Sequence, residues 1–251
     1  MMSCQTNVEA TSIHQTNTFT LLKNQFFYKI HAHHSMFATM MIMQILGLIF
    51  SYSSESWGTG TENLYVHMTI YSGNIIITFS LIWAFLMAFM LTRNPIKNMM
   101  NTFITTKKVN HLSNFLFLIF LSVIGGISCY LISFLFKSII VLFQSEKTIL
   151  IEQVTLFEVL LGTIATILYM LLVTAVGYLI GEMIQLHKIF IAIIPITIVG
   201  FIIIFPEEVI APIFQFFTWE TNVFIFAVKI ICVVSGMFLL STLFDKHMEV
   251  R

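Results

Sequence analysis

The sequence predicts an all-α integral membrane protein with six transmembrane helices. Hydrophobic residues make up 58% of the 251-residue chain and charged residues only 10%, whereas average soluble domains have roughly 45–50% and about 25%. Six apolar runs come close to or exceed the roughly 20 residues that a helix needs to cross a bilayer. They are 35–53, 67–91, 113–143, 154–180, 189–205 and 222–244.

The segment before the first apolar run predicts a helix that lies in the membrane interface. Residues 1–16 are polar and predict a mobile tail. Apolar side chains then recur at spacings of three and four, which indicates one helical face. They are Phe19, Leu22, Phe26 and Ile30, with Lys23 near one edge of the stripe and Lys29 beyond it. A plain juxtamembrane extension is the alternative interpretation. No small-residue cleavage site follows the first run, so we expect that run to remain as a span.

The connection at residues 92–112 is the most strongly basic one in the chain. It contains four basic residues, Arg93, Lys97, Lys107 and Lys108, and no acid. Its apolar residues have helix-like offsets that predict a short amphipathic helix facing the cytoplasm. They are Met99, Met100, Phe103, Ile104 and Leu112. Docking onto a soluble partner is one interpretation of this helix, and lying on the anionic inner leaflet is the other.

The third and fourth runs are rich in small residues, which allow helices in lipid to pack closely. The third run is longer than a bilayer requires, so it is expected to tilt, bend or project. Gly125 and Gly126 in its middle favour a bend or a close helix contact. The other small residues include Ser122, Gly162, Ala175, Gly177 and Gly181. Together they predict a compact bundle.

Residues 206–220 are acidic at their ends and apolar between. This segment is too short to span the bilayer and too apolar for a solvated loop. It therefore predicts a short re-entrant or interfacial helix on the outer face. The alternative is an aromatic-belt loop anchored by Trp219.

The distribution of basic residues predicts the orientation in the membrane. Cytoplasmic connections and tails would carry nine bases: Lys23, Lys29, Arg93, Lys97, Lys107, Lys108, Lys188, Lys246 and Arg251. The outer connections would carry only Lys147. Since Lys and Arg accumulate on the cytoplasmic side, both termini and residues 92–112 are predicted to be cytoplasmic. Residues 54–66 and 206–221 are predicted to face outward.

Four polar residues interrupt the apolar runs: Asn74, Lys137, Glu158 and Lys229. A charge at mid-bilayer costs roughly 2.5–3.5 kcal/mol on an insertion scale and usually faces a partner or a cavity. The two lysines lie close enough to the outer boundary for their long side chains to reach the headgroups. Glu158 is shorter, so we expect it to pair with Lys137 or Lys229.

The sequence contains no motif that supports catalysis. It lacks a G-x-x-x-x-G-K-[ST] phosphate loop, an H-E-x-x-H zinc pair and a G-x-S-x-G nucleophile elbow. His31, His33 and His34 do not share one helical face, so a juxtamembrane anchor is favoured over a metal site. Net charge is zero, and nothing in the composition indicates a nucleic-acid partner. No cofactor, metal or catalytic residue is predicted.

The chain resembles the permease subunits of type-2 ABC exporters of Gram-positive bacteria, including those that export phenol-soluble modulins and other peptides. That family has an elbow helix, six spans, a coupling helix after the second span and short re-entrant helices before the sixth. The counterparts here are Phe19–Ile30, the six runs, Ile96–Leu112 and Pro206–Glu220. Residues 105–118 look like the junction between the coupling loop and the third span. The resemblance covers most of residues 17–245 as one permease domain, followed by a short cytoplasmic tail at 246–251.

The resemblance implies a non-catalytic subunit in a bacterial plasma membrane. ATP would be hydrolysed by two copies of a cytosolic ABC ATPase that contact the coupling helix, with Met99, Met100, Phe103, Ile104, Lys107 and Lys108 as the contact residues. A second permease chain, identical or related, would complete a pathway for an amphipathic peptide or lipid-like substrate. The alternative function is a membrane-bound immunity or sensor protein that binds a peptide without transporting it.

Overall fold

A computed structural model describes residues 18–52, 55–61, 64–70, 73–92, 107–143, 155–205, 207–218, 220 and 222–248. The described residues form, in chain order, α1 (Thr18–Ala32), α2 (Ser35–Tyr52), β1 (Glu55–Thr61), β2 (Leu64–Ile70), α3 (Asn74–Leu91), α4 (Lys107–Phe143), α5 (Leu156–Leu186), α6 (Phe190–Ile204), α7 (Glu207–Thr218) and α8 (Val223–Met248). The predicted mobile tail, residues 1–16, lies outside the described residues.

Five helices in the described part of the chain are long and apolar enough to cross a membrane: α2, α3, α4, α5 and α8. Each buries less than half of its most apolar stretch inside the protein, between 17% and 39%. Much of their apolar surface is therefore left to face lipid or a neighbouring protein. These helices confirm the prediction of a helical, multi-pass membrane protein. The predicted fifth span, 189–205, corresponds to the shorter α6 of 15 residues.

A two-stranded antiparallel hairpin, which is not among the elements predicted from the sequence, connects α2 to α3. Its register runs from Glu55 opposite Ile70 to Thr61 opposite Leu64. The prediction that the second span begins at residue 67 is therefore wrong, because 67–70 belong to β2 and the helix begins at Asn74. The stretch Leu64-Tyr65-Val66-His67-Met68-Thr69-Ile70 alternates apolar and more polar residues. That period of two is typical of a strand.

The helix α4 also begins earlier than predicted. It is one continuous helix of 37 residues from Lys107, whereas the sequence predicts a short helix ending at Leu112 and a separate span starting at residue 113. The helix α8 likewise continues to Met248, past the predicted domain end at residue 245. In both cases polar residues continue the helix beyond the apolar run.

The small residues of α4 and α5 bring the helices into close contact, as predicted. A Cβ atom on Gly126 of α4 would lie 2.9 Å from the Ile167 Cα of α5. One on Gly177 of α5 would lie 2.7 Å from the Phe85 carbonyl oxygen of α3. Ser122 and Thr174 are hydrogen-bonded across α4 and α5 at 3.2 Å. Close backbone approach of this kind drives helix association in lipid, where burial of apolar surface gives little gain.

Polar contacts also join α2 to its neighbours. Gln44 Nε2 donates to Ser128 Oγ on α4 at 2.9 Å, and Trp83 Nε1 on α3 donates to Thr39 Oγ1 at 3.1 Å. The largest core cluster forms where these helices meet α5, and it includes Met40, Ile76, Trp83, Phe117, Leu121, Met170 and Tyr178. A second cluster joins α5 to α8 and includes Leu168, Ala175, Phe226, Ile230 and Val234.

The contacts define two ends of the bundle. Tyr178 near the end of α5 contacts Asn114 near the start of α4, whereas Gly162 near the start of α5 approaches Tyr130 farther along α4. These two helices are therefore antiparallel. We call the end that holds α1, the start of α4 and the end of α5 the α1 end. The opposite end, which holds the start of α3 and the start of α5, is called the hairpin end.

Candidate functional site

A buried lysine on α1 is the centre of a polar network at the α1 end. The Lys29 side chain is 1% exposed. Its ammonium donates to the Asn110 carbonyl oxygen at 3.3 Å and to Asn110 Oδ1 at 3.1 Å. A further hydrogen bond goes to Asn114 Oδ1. An ammonium has three donors and no acceptor, so these three oxygens match its hydrogen-bonding capacity.

Helical periodicity places these residues together. Asn110 and Asn114 are four residues apart on α4 and therefore share a face. On α1 the same spacing relates Lys29 to Gln25, which is also buried. Apolar contacts flank the polar pair: the rings of Phe26 and Phe120 have centroids 5.6 Å apart. The result is a polar contact enclosed by aromatic packing.

The network continues from α4 to α5. Asn114 Nδ2 donates to the Tyr178 hydroxyl oxygen at 3.0 Å. The same hydroxyl lies 3.3 Å from His111 Nδ1. Glu182 follows Tyr178 by one helical turn and is 2% exposed. Hydrogen bonds thus link three helices that are distant in sequence, α1, α4 and α5.

Burial changes the protonation of Lys29. The loss of water around the charged amine lowers the pKa of Lys29 from its ordinary 10.5 to about 7. Because this pKa is near 7, the lysine changes charge near neutral pH. It lies in α1, which is not among the helices long and apolar enough to cross a membrane.

The three histidines at the end of α1 bind the carbonyl groups of that helix. Nδ1 of His31, His33 and His34 lies 3.1, 3.0 and 3.2 Å from the carbonyl oxygens of Phe27, Lys29 and His31, respectively. Since a carbonyl oxygen can only accept, each Nδ1 carries the hydrogen. Two of these carbonyl groups, those of Lys29 and His31, also accept from the backbone N–H groups of His33 and His34, so the imidazoles add a second hydrogen bond near the end of α1. In the described ranges, no three His, Cys, Asp or Glu side chains are grouped to hold a metal.

Four of the six predicted ATPase-contacting residues lie outside the described residues. This applies to Met99, Met100, Phe103 and Ile104. Lys107 and Lys108 form the first turn of α4, and the structure describes only their backbone. The described residues of the 92–112 connection are Thr92 and the start of α4, 107–112, which includes Asn110.

The predicted pairing of Glu158 with a lysine of another span is wrong. Glu158 lies in the first turn of α5, where its carboxylate accepts from the Thr155 backbone N–H at 2.8 Å and Thr155 Oγ1 accepts from the Glu158 N–H at 3.3 Å. This reciprocal capping box satisfies the carboxylate at a helix N-terminus. Among the described residues, no ion pair joins Glu158 to Lys137 or Lys229.

The other three intramembrane polar candidates also lie toward the hairpin end. Lys229 forms an ion pair with Glu220 and lies 4.3 Å from the centroid of the Phe216 ring. Lys137 is exposed near the end of α4, and Asn74 is the exposed first residue of α3. The structure does not bring these four residues into one site.

The network around Lys29 was not predicted from the sequence. Lys29 was counted there only as one of the nine basic residues of the cytoplasmic connections and tails. The available signal was a pair of polar residues four apart on each of two helices, Gln25 with Lys29 and Asn110 with Asn114. Periodicity shows that each pair shares a face but does not show that the two faces meet.

Comparisons with protein-family models, with characterised proteins and with solved structures each found no match to this chain.

Proposed function

We propose that the chain is the transmembrane subunit of an ATP-binding cassette exporter. The observation that carries the proposal is the position of α1 relative to the basic connection. Residues 93–106 lead directly into the start of α4, and Lys29 fastens α1 to that start. A force applied to the connection by a soluble ATPase would reach α1 and the bundle together.

The proposed topology has six crossings with both termini in the cytoplasm. It requires α6 to cross with the five longer helices, and the nine-to-one distribution of bases supports it. In this arrangement α1 is the elbow helix and the α1 end is cytoplasmic. The 93–106 connection, with the start of α4, holds the coupling segment.

The proposed pathway is formed with a second permease chain and carries an amphipathic peptide or lipid-like substrate. The short helix α7 supports this choice of substrate, because it lies between α6 and α8 and combines apolar residues with acidic residues at its start. In the proposed topology it is the outer interfacial or re-entrant segment, where such a substrate would leave the membrane.

Co-purification tests this function. The chain would be purified from its native membranes in mild detergent and the recovered proteins identified by mass spectrometry. The wild-type chain should recover a cytosolic ABC ATPase. Changing Phe103→Ala together with Ile104→Ala should reduce that recovery, because the proposed contact surface would be lost.

The chain offers a matched control for this experiment. Phe224 and Ile225 form the same dipeptide on α8 at the hairpin end, and both are exposed. Changing both to Ala should leave recovery of the ATPase unchanged. If wild-type chain recovers no ATPase, the transport proposal is wrong and the peptide-binding sensor becomes the better account. Equal recovery with both double variants would place the contact outside residues 103 and 104.

A further inference from the structure

We propose that α6 packs against α6 of a second copy of this chain, so that two short helices form the contact between the two permeases. The proposal rests on the proposed function, and on the crossing of α6 that it includes, and deepens it by assigning a surface and an identical partner to the second chain. The residues at the contact lie on one side of α6 and are here called the α6 face: Ala192, Ile196, Val199, Gly200 and Ile203.

The helix α6 differs from the other long apolar helices because it does not pack into the core. Among the described side chains, none from residues 190–204 belongs to either core cluster. Each α6 side chain that the structure describes is exposed or half-buried. A helix that is apolar on all sides is usually buried. The described part of the chain thus leaves the α6 face uncovered, and lipid or another protein must cover it.

The length of α6 favours an equally short helix as its neighbour. Its 15 residues make a helix of about 22 Å, against a hydrocarbon core of about 30 Å. A helix that is too short thins the bilayer around it, and association of helices relieves this cost. Two copies of α6 would share one thinned patch, whereas a longer neighbour would favour a thicker bilayer at the contact. An identical chain supplies a helix of the same length.

The α6 face also suits contact with its own copy. The helix has no charged residue, so identical chains would meet without like-charge repulsion. A Cβ atom on Gly200 would have nothing within 4 Å, which leaves the backbone open to close approach of another helix. Ile196 precedes Gly200 by one turn and is 68% exposed. Around a twofold axis normal to the membrane, residues near the axis meet their own copies, so Ile196 of one chain would lie close to Ile196 of the other.

Disulfide cross-linking in cell membranes tests this contact. Single cysteines would be placed in a full-length chain without its native cysteines, and a membrane-permeant oxidant would be added. Ile196→Cys should give roughly tenfold more cross-linked dimer than two control positions, because a disulfide requires Cβ atoms within about 4.5 Å. Val199→Cys on the same face gives a second reading if Ile196→Cys does not fold. The controls are Ile194→Cys, about 200° away around α6, and Ile231→Cys, an exposed position of α8.

A substitution at Gly200 separates a specific contact from random collision. Gly200→Leu should reduce the Ile196→Cys cross-link about tenfold, because the larger side chain keeps the two backbones apart. Gly236→Leu on α8 is the matched control, since a Cβ atom there also has nothing within 4 Å, and it should leave the cross-link unchanged. A cross-link that survives Gly200→Leu would overturn this packing.

The remaining outcomes separate the partner of α6 from the transport function. Equal cross-linking at the face and control positions, or none at the α6 face, would mean that lipid covers α6 and would overturn the proposal. A cross-link from Ile196→Cys to a different protein would overturn the identical partner. Recovery of an ATPase without the α6 cross-link would contradict only this contact. The cross-link without recovery of an ATPase would support the contact and contradict the transport function.

Discussion

At the residue scale, two charged side chains in the described part of the chain have partners close in sequence. Glu158 is held by Thr155, three residues away, and Lys229 by Glu220, nine residues away. Lys29 differs, because its partners are 81 and 85 residues away on another helix. A local partner fixes a helix end, whereas a distant one fixes the position of one helix on another.

A double-mutant cycle tests the partner of Lys229. Neutralising Lys229→Met and Glu220→Gln should give effects on the free energy of unfolding that are not additive. We expect a coupling of about 0.5–1 kcal/mol, because the pair is partly exposed and screened by solvent. The measurement is reversible unfolding in detergent. Lys229→Met with Glu158→Gln is the control and should be additive; coupling in that pair would restore the interaction that the structure contradicts.

The capping box of α5 gives a second residue-scale prediction. Thr155→Ala should lower the free energy of unfolding by about 0.5–2 kcal/mol, since the Glu158 N–H loses its side-chain acceptor. Thr155→Ser keeps the hydroxyl group and should retain most of the stability. The two variants can be compared by thermal unfolding in the same detergent. Equal losses for Ala and Ser would show that the hydroxyl does not cap α5.

At the element scale, the hydrophobicity of the sequence located the long helices. It failed to separate helix from strand where the apolar run also alternates with the period of a strand. Residues 67–70 are included in the predicted second span because the run 67–91 is apolar on average, although the alternation along 64–70 indicates a strand. The face of α1 was misjudged for a related reason. The predicted apolar stripe does not share one environment, because Phe26 and Ile30 pack on the core whereas Phe19 is 71% exposed. Lys29, predicted to lie beyond the stripe, is buried. Spacing defines the faces of a helix, and only its neighbours decide which face is covered.

Close packing of α3 and α5 gives a prediction for glycine substitutions. Gly177→Ala should destabilise the bundle by about 1–3 kcal/mol, because the new methyl group would meet the Phe85 carbonyl at 2.7 Å. Gly236→Ala is the matched control in α8, where nothing lies within 4 Å. It should be neutral or slightly stabilising, since alanine favours a helix. Thermal unfolding in detergent compares the two, and equal shifts in Tm would contradict the role of Gly177.

At the scale of the whole molecule, the sequence predicted a multi-pass helical bundle and the structure confirms it. The number of crossings depends on α6, whose 15 residues make a helix of about 22 Å against a hydrocarbon core of about 30 Å. Average hydropathy cannot decide whether so short a helix crosses, because thinning of the bilayer compensates at modest cost. The network around Lys29 could not be predicted either, because it depends on contacts between helices far apart in sequence.

The number of crossings predicts where the two termini lie. If α6 crosses, cysteines introduced at Ser3 and Glu249 in a chain without its native cysteines should both resist a membrane-impermeant thiol reagent in intact cells. A cysteine at Thr61, in the hairpin, should be labelled. Both terminal cysteines should react after the cells are opened. Labelling of residue 249 but not residue 3 in intact cells would mean five crossings.

The proposed transport function requires that the basic connection before α4 contact an ATP-hydrolysing subunit. The most direct measurement places a photo-crosslinking amino acid at Phe103 in cells that also produce the native partners of the chain. A matched probe at Phe224 reports on the opposite end of the bundle. We expect irradiation to join position 103, and not position 224, to a cytosolic ABC ATPase. Adducts of position 103 with lipid alone, while the probe is shown to be reactive, would contradict the proposed transport function.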